Sequence, residues 1–160
     1  MRKIGFIGCG HMAQALIKGL KSNKSYELLG HDRNSKNIAW LKQEKITSYS
    51  LKEVCHEADI LMICVKPKDM YDLCSEMKTH IGKELKIVSV AAGITLESLK
   101  DALSGGKVYR AMPNIGAKHN LGITSIFSHE ELNEILDIFN YLGKAIVVED
   151  EDKINLHTSL

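Results

Sequence analysis

The sequence has no excess of charge of either sign: Lys plus Arg is 21 and Asp plus Glu is 20. That balance excludes both the basic field that a nucleic-acid backbone requires and an acidic tail. Any anionic ligand must therefore be held by local geometry. A Cys-x-x-Cys pair is also missing. Cys9, Cys55, Cys64 and Cys74 are spread singly, which argues against a zinc site or a dithiol redox motif, and all four are expected to be reduced, mostly buried thiols. No apolar run approaches the ~20 residues of a membrane span. Met1-Arg2-Lys3 leads straight into a strand, without the longer apolar stretch and cleavage site of a signal peptide. A cytoplasmic chain without membrane or nucleic-acid partners is the expectation. Internal repeats, low-complexity segments, a Ser-His-Asp set and a metal-ligand cluster are absent too. Of the 7 histidines, only His11 falls within a motif.

What is present is alternation. Strand-length apolar runs are expected at Lys3–Gly8, Tyr26–Gly30, Thr47–Tyr49, Ile60–Val65, Ile87–Val90, Val108–Ala111, Ile123–Phe127 and Ala145–Val148. Between them lie segments of helical period. The first carries Met12, Leu16, Ile17 and Leu20 on one face. The others are Ser35–Gln43 with Ser35 as N-cap, Leu51–Glu57, Asp69–His80, Leu96–Leu103 opened by Thr95, and Glu130–Leu142. Met112–Leu121 reads as a loop. Ile60–Val65 is almost wholly apolar, as a central strand covered on both faces should be. The pattern predicts an α/β fold of Rossmann type, a doubly wound, mostly parallel sheet with helices on both faces. Residues 1–150 are expected to form one dinucleotide-binding domain. Residues 151–160 read as a linker or the opening of another helix. Its apolar Ile154, Leu156 and Leu160 have nothing left to pack on, so they are expected to be exposed, mobile or covered by a neighbouring chain.

The chemistry centres on the first turn. Gly8-Cys9-Gly10-His11-Met12-Ala13 is G-x-G-x-x-A, placed after a strand and opening a helix. Gly8 permits the tight turn, Gly10 lets a pyrophosphate approach the backbone, and Ala13 allows close helix–strand packing. The free N–H groups and positive end of the helix then face the phosphates. A glycine pattern alone is a weak signal, and the strand–turn–helix context is what gives it weight. Near the end of the second strand, Asp32-Arg33-Asn34-Ser35 offers two signals. Asp32, 24 positions after Gly8, suits the ribose hydroxyls of NAD(H). Arg33, with Asn34, Ser35 and the start of a helix, suits the 2′-phosphate of NADP(H). We read NADP(H) as preferred, with NAD(H) as the alternative.

The chain resembles the pyrroline-5-carboxylate reductases, in blocks that run in order through all of it. Ile4–Ala13 looks like that family's opening. Val65-Lys66-Pro67, Ser89–Ile94 and Arg110–Asn114 follow successive strands, beyond whose carboxyl ends ligands of open α/β sheets bind. The resemblance implies further cofactor contacts at Val65, Lys66, Pro67, Ala91, Ala92 and Gly93. It places Met112, Pro113 and Asn114 near the nicotinamide and substrate. It implies hydride transfer from NAD(P)H to the C=N carbon of 1-pyrroline-5-carboxylate, giving L-proline. It also implies a homo-oligomeric parent with a C-terminal helical dimerisation domain, absent from this chain, that supplies much of the substrate site, so the chain alone is expected to be inactive. The chain departs from the family where Met-Pro-Asn usually continues Thr-Pro-Ala: here stand Ile115, Gly116 and Ala117. That departure keeps open a reductase-like NADP(H)-binding protein without turnover. Other rivals are reductases on the same scaffold, such as deazaflavin-dependent NADP reductases and 3-hydroxyacid dehydrogenases, against which Val-Lys-Pro with Met-Pro-Asn argues, and a plain interaction domain without nucleotide, against which the glycine turn argues.

Overall fold

The computed structural model describes residues 1–115 and 121–155. Its strands are β1 (Arg2–Ile7), β2 (Tyr26–His31), β3 (Thr47–Ser48), β4 (Ile60–Ile63), β5 (Lys86–Ser89), β6 (Lys107–Ile115), β7 (Leu121–Phe127) and β8 (Lys144–Val147). Its helices are α1 (His11–Leu20), α2 (Ser35–Gln43), α3 (Leu51–Glu57), α4 (Met70–Met77), α5 (Leu96–Leu103) and α6 (Asn133–Leu142). The strands form one sheet in the order β3-β2-β1-β4-β5-β6-β7-β8. All neighbours pair in parallel except β6 and β7. This is the expected doubly wound architecture.

The sheet is buried on both sides, and β4 shows how. Ile60 and Met62 belong to one core with Leu16, Ile17 and Leu20 of α1 and Phe139 of α6. Leu61 and Ile63 belong to the opposite core with Met70 and Leu73 of α4 and Leu99 of α5. A strand with helices above and below has no solvent face, so polar alternation disappears from its sequence. Each such side chain removed from water contributes about 1.5–3 kcal/mol. The buried set of α1, Ala13, Leu16, Ile17 and Leu20, follows the helical repeat.

The amino ends of the strands are tied by charge. Arg2 donates to Glu134 at 2.6 and 2.8 Å, and Lys86 Nζ reaches the same carboxylate at 2.9 Å. The hydrogen bond from Arg2 holds Glu134 below the usual carboxylate range, against burial and with help from Lys86. Lys107 pairs with Glu84 at 3.0 Å on the same rim.

Several expectations need correction. Met112, Pro113, Asn114 and Ile115 are not loop but the end of β6, paired with β7. A proline inside an apolar run signals a break. Here β5 ends opposite Arg110, so beyond that point β6 has a neighbour on one side only, and Pro113 is accommodated opposite Thr124 with a register shift before Ile115. The fourth helix begins later than expected, because Pro67–Asp69 forms a 3-10 turn ahead of α4. The sixth begins at Asn133, after a turn in which Ser128 Oγ accepts from Glu130 N at 3.1 Å. The N-cap of α2 is Asn34, which accepts from Lys36 N and Asn37 N, and Ser35 is the first helical residue.

Ile154 is not an orphan. It is 1% exposed and belongs to the same buried core as Leu99 of α5 and Val108 of β6. A 3-10 turn, Glu151–Lys153, brings it there, and Glu151 pins the turn by accepting from Leu96 N at 2.7 Å and from Arg110 Nη1 at 2.8 Å. Leu156 and Leu160 lie outside the described residues. All four cysteines are free thiols, three buried and Cys64 half-buried. No helix among the described residues is long and apolar enough to cross a membrane.

Candidate functional site

The carboxyl ends of the parallel strands share one rim, and the glycine turn stands in its middle. The backbone turns at Gly8 with φ +84°. A Cβ there would lie 2.9 Å from Val65 Cγ1 and 3.1 Å from the backbone of Cys64 and Val65. Only glycine meets both the torsion and the contact. Gly10 differs, because a Cβ added to it would meet nothing within 4 Å. It is the N-cap of α1 and gives no side-chain cap, whereas α2, α3 and α5 are capped by Asn34, Ser50 and Thr95. The first N–H groups of α1 therefore lie beside open space at the positive end of a helix, a place that favours an anion. Ala13 is fully buried, Met12 half-buried and His11 exposed.

The turn is braced from β2. Cys9 N–H donates to Asp32 Oδ2 at 2.7 Å, and Gln14 Nε2 donates to the Cys9 carbonyl at 2.9 Å. Asp32 also accepts from Asn34 N at 2.9 Å and from Asn37 Nδ2 at 2.9 Å. Burial pushes the Asp32 carboxyl up, but the hydrogen bonds from Asn34, Cys9 and Asn37 prevail and leave it below its ordinary value. Burial raises the Cys9 thiol to about 12. Cys9 is therefore a packing residue, not a nucleophile.

Beside the turn lies a cleft of about 320 Å³, bounded by Gly8, Asp32 and Arg33 on one side and by Val65, Asp72 and Glu76 on the other. Arg33 reaches across it. Its Nη2 donates to Glu76 Oε1 at 2.6 Å, and the side chain is 75% exposed. Sequence reading missed the acidic wall of this cleft. Its signal was available: Asp69, Asp72 and Glu76 are spaced three and four apart, which places them on one helical face.

The other expected residues occupy the same rim. Val65 borders the cleft, while Lys66 is exposed as the N-cap of the 3-10 turn and Pro67 is exposed as its first residue. After β5, Ala91 is buried with its N–H on Ser89 Oγ at 3.2 Å. Ala92 and Gly93 are exposed, Gly93 with φ +78° and no atom within 4 Å of an added Cβ. Met112 and Pro113 are buried and Asn114 half-buried where β6 overshoots β5. The side chain of Ile115 and the whole of Gly116 and Ala117 lie outside the described residues. Among the described residues, no group of three or more His, Cys, Asp or Glu could hold a metal ion.

A family described as NADP oxidoreductase, coenzyme F420-dependent, matches residues 3–93, the whole stretch from β1 through the loop after β5. The chain belongs to this family. The pyrroline-5-carboxylate reductase of Escherichia coli (strain K12) is 34% identical over 160 residues, spanning 93% of this chain and 60% of that protein. The chain thus spans about 60% of the length of most curated relatives it matches and 31% of one from Dictyostelium discoideum. Among solved structures, a pyrroline-5-carboxylate reductase from Coxiella burnetii superposes with TM-score 0.88 at 24% identity, over 98% of this chain and 62% of that one. A Plasmodium falciparum pyrroline carboxylate reductase with NADP bound gives TM-score 0.82 at 21% identity, over 99% and 61%. These two likenesses establish the fold, and the sequence match extends the resemblance through β6 and beyond.

Proposed function

We propose that this chain is the cofactor-binding part of an NADP(H)-dependent reductase that saturates the C=N bond of 1-pyrroline-5-carboxylate to give L-proline. The observation that carries the reading is the uncapped start of α1 beside the open face of Gly10, in a chain whose relatives along its length are pyrroline-5-carboxylate reductases. NADPH, when bound, supplies the hydride. The protein binds and orients.

In this reading the N–H groups of Gly10, His11 and Met12 receive the pyrophosphate, and bare Gly10 gives it room. Asp32 holds the turn in the shape that presents those groups. Arg33, Asn34 and Ser35 meet the 2′-phosphate, while Val65, Lys66 and Pro67 border the cofactor's course along the rim. Gly93, with Ala91 and Ala92, leaves space for a ring, and Met112, Pro113 and Asn114 stand beside it, the Asn114 amide offering a donor and an acceptor. The dinucleotide domain, residues 1–150, is extended by the turn at 151–154 packed into its core, and a helical, dimerising part of the parent would complete the substrate site. The parent is a cytoplasmic homo-oligomer that acts on a small molecule.

The test is a fluorescence titration of the chain with NADPH, followed by an assay of NADPH oxidation with 1-pyrroline-5-carboxylate and detection of proline on the parent that carries this domain. Saturable binding and proline formation support the reading. Failure to bind either nicotinamide nucleotide overturns it.

A further inference from the structure

The cofactor cleft holds one guanidinium and more carboxylates than that guanidinium can satisfy. Asp32 is occupied with the glycine turn. On the facing wall, Asp69, Asp72 and Glu76 all border the cleft. Arg33 is not a free cation awaiting a ligand, because its Nη2 is engaged by both oxygens of Glu76 across the cleft's mouth. The two residues are 43 positions apart and sit on opposite walls, so this is a tertiary bridge and not a local helix pair.

We infer that Glu76 is a specificity-determining residue for the cofactor, one that competes with the 2′-phosphate for Arg33 and so narrows the preference for NADPH over NADH. The inference rests on the cofactor reading proposed above. A guanidinium presents five donors in a fixed fork and takes one planar partner best. An arriving phosphate monoester, with a charge of about −1.5 to −2, must either displace Glu76 or bind with that carboxylate still beside it. Displacement costs the existing pair, and co-residence sets like charges close together. Either way NADPH binding is penalised. NADH brings only a hydroxyl to that position and meets neither cost. Arg33 thus favours the phosphate while Glu76 opposes it, and the net preference is the difference. Asp72 also faces Arg33 and acts in the same sense, more weakly.

The experiment is a pair of titrations, NADPH and NADH, against the parent chain, E76Q, E76K, R33A and the double variant R33A/E76Q at moderate ionic strength. Glu76 is exposed at the cleft's mouth, so these variants keep the fold, which a thermal melt verifies. Neutralising one partner of an exposed pair should tighten NADPH about two- to fivefold, with a larger gain in E76K and NADH little changed. In the R33A background, E76Q should give a smaller gain, since the contested guanidinium is gone. Measurable NADPH binding that is equal in the parent and E76Q overturns the inference and leaves the cofactor reading intact. Loss of NADH affinity in E76Q with no gain for NADPH overturns it too, and makes Glu76 a reader of ribose hydroxyls. If the parent binds neither nucleotide, the cofactor reading falls and this inference falls with it.

Discussion

Asp32 and Cys9 stand 23 residues apart in sequence, yet the carboxylate of one accepts the backbone N–H of the other at 2.7 Å. The acid that closes the second strand thereby shapes the glycine turn that follows the first. Its two oxygens accept three bonds in all, from Cys9, Asn34 and Asn37. The residue expected to read a ribose is thus first a brace for the phosphate loop.

Asp32→Ala should accordingly cost stability as well as affinity. Leaving the buried Cys9 N–H without its acceptor should cost about 1–3 kcal/mol, and both NADPH and NADH should bind more weakly. The sign with pH follows from a carboxyl whose folded value is lowered. The stabilisation is complete well above the ordinary value of 3.8 and is lost as pH falls through that value and below. Urea melts from pH 3 to 7 should show parent and variant converging at the acid end. Full stability at neutral pH with weakened nucleotide binding would make Asp32 a ligand contact only.

The two turn glycines should fail in opposite ways. Gly10→Val enters open space, so the chain should melt like the parent while NADPH binds several-fold more weakly or not at all. Gly8→Ala meets Val65 and positive φ together, and should lose about 1–3 kcal/mol of stability. Equal nucleotide affinity in Gly10→Val and the parent would remove the pyrophosphate from this turn.

Arg33→Ala should weaken NADPH about tenfold, the scale of a charge-assisted contact, and leave NADH almost untouched. Raising the salt concentration should reduce the parent's NADPH affinity more than the variant's. If the parent binds NADH as tightly as NADPH and the substitution changes neither, the 2′-phosphate is read elsewhere or not at all.

Glu151→Ala should destabilise the whole domain. It strands the guanidinium of Arg110, which is 4% exposed, and the N–H of Leu96 at the start of α5. Breaking a buried pair by removing one partner costs about 3–5 kcal/mol. Glu151 itself keeps 25% side-chain exposure, so the lower end is expected. In a denaturant-based double-mutant cycle, R110M together with E151L should cost much less than the sum of the single changes. Additive costs would mean the two side chains stabilise the fold independently.

The architecture was legible because its signals are local. Four-residue apolar β4 between two helices, or Thr95 ahead of Leu96, is written in consecutive residues, and the spans of α2, α3 and α5 agree with their expected bounds. The errors arose where a distant partner outweighs the local signal. Met112–Ile115 reads as loop until β7 is known to lie beside it. Ile154 reads as an orphan until Glu151 is seen to fasten its turn to Arg110. Arg33 reads as a partner for the 2′-phosphate, and nothing near it in sequence tells that α4 brings Glu76 to it. The spacing of Asp69, Asp72 and Glu76 could have shown an acidic face, but nothing in that spacing tells that it looks onto Asp32 and Arg33.

The unequal finish of the sheet's two rims has a thermodynamic consequence. At the amino rim Arg2, Lys86 and Lys107 already have carboxylate partners. At the carboxyl rim α1 begins without a side-chain cap and Gly10 and Gly93 stand bare. A rim whose hydrogen-bonding capacity is left over in the free chain is completed only by whatever fills it. Nucleotide that binds the folded chain and not the unfolded one therefore adds to folding stability by mass action, about 2.7 kcal/mol when present at a hundred times its dissociation constant. The melting temperature should then follow nucleotide concentration, and substitutions at the amino rim should lower that temperature without changing the increment the nucleotide adds.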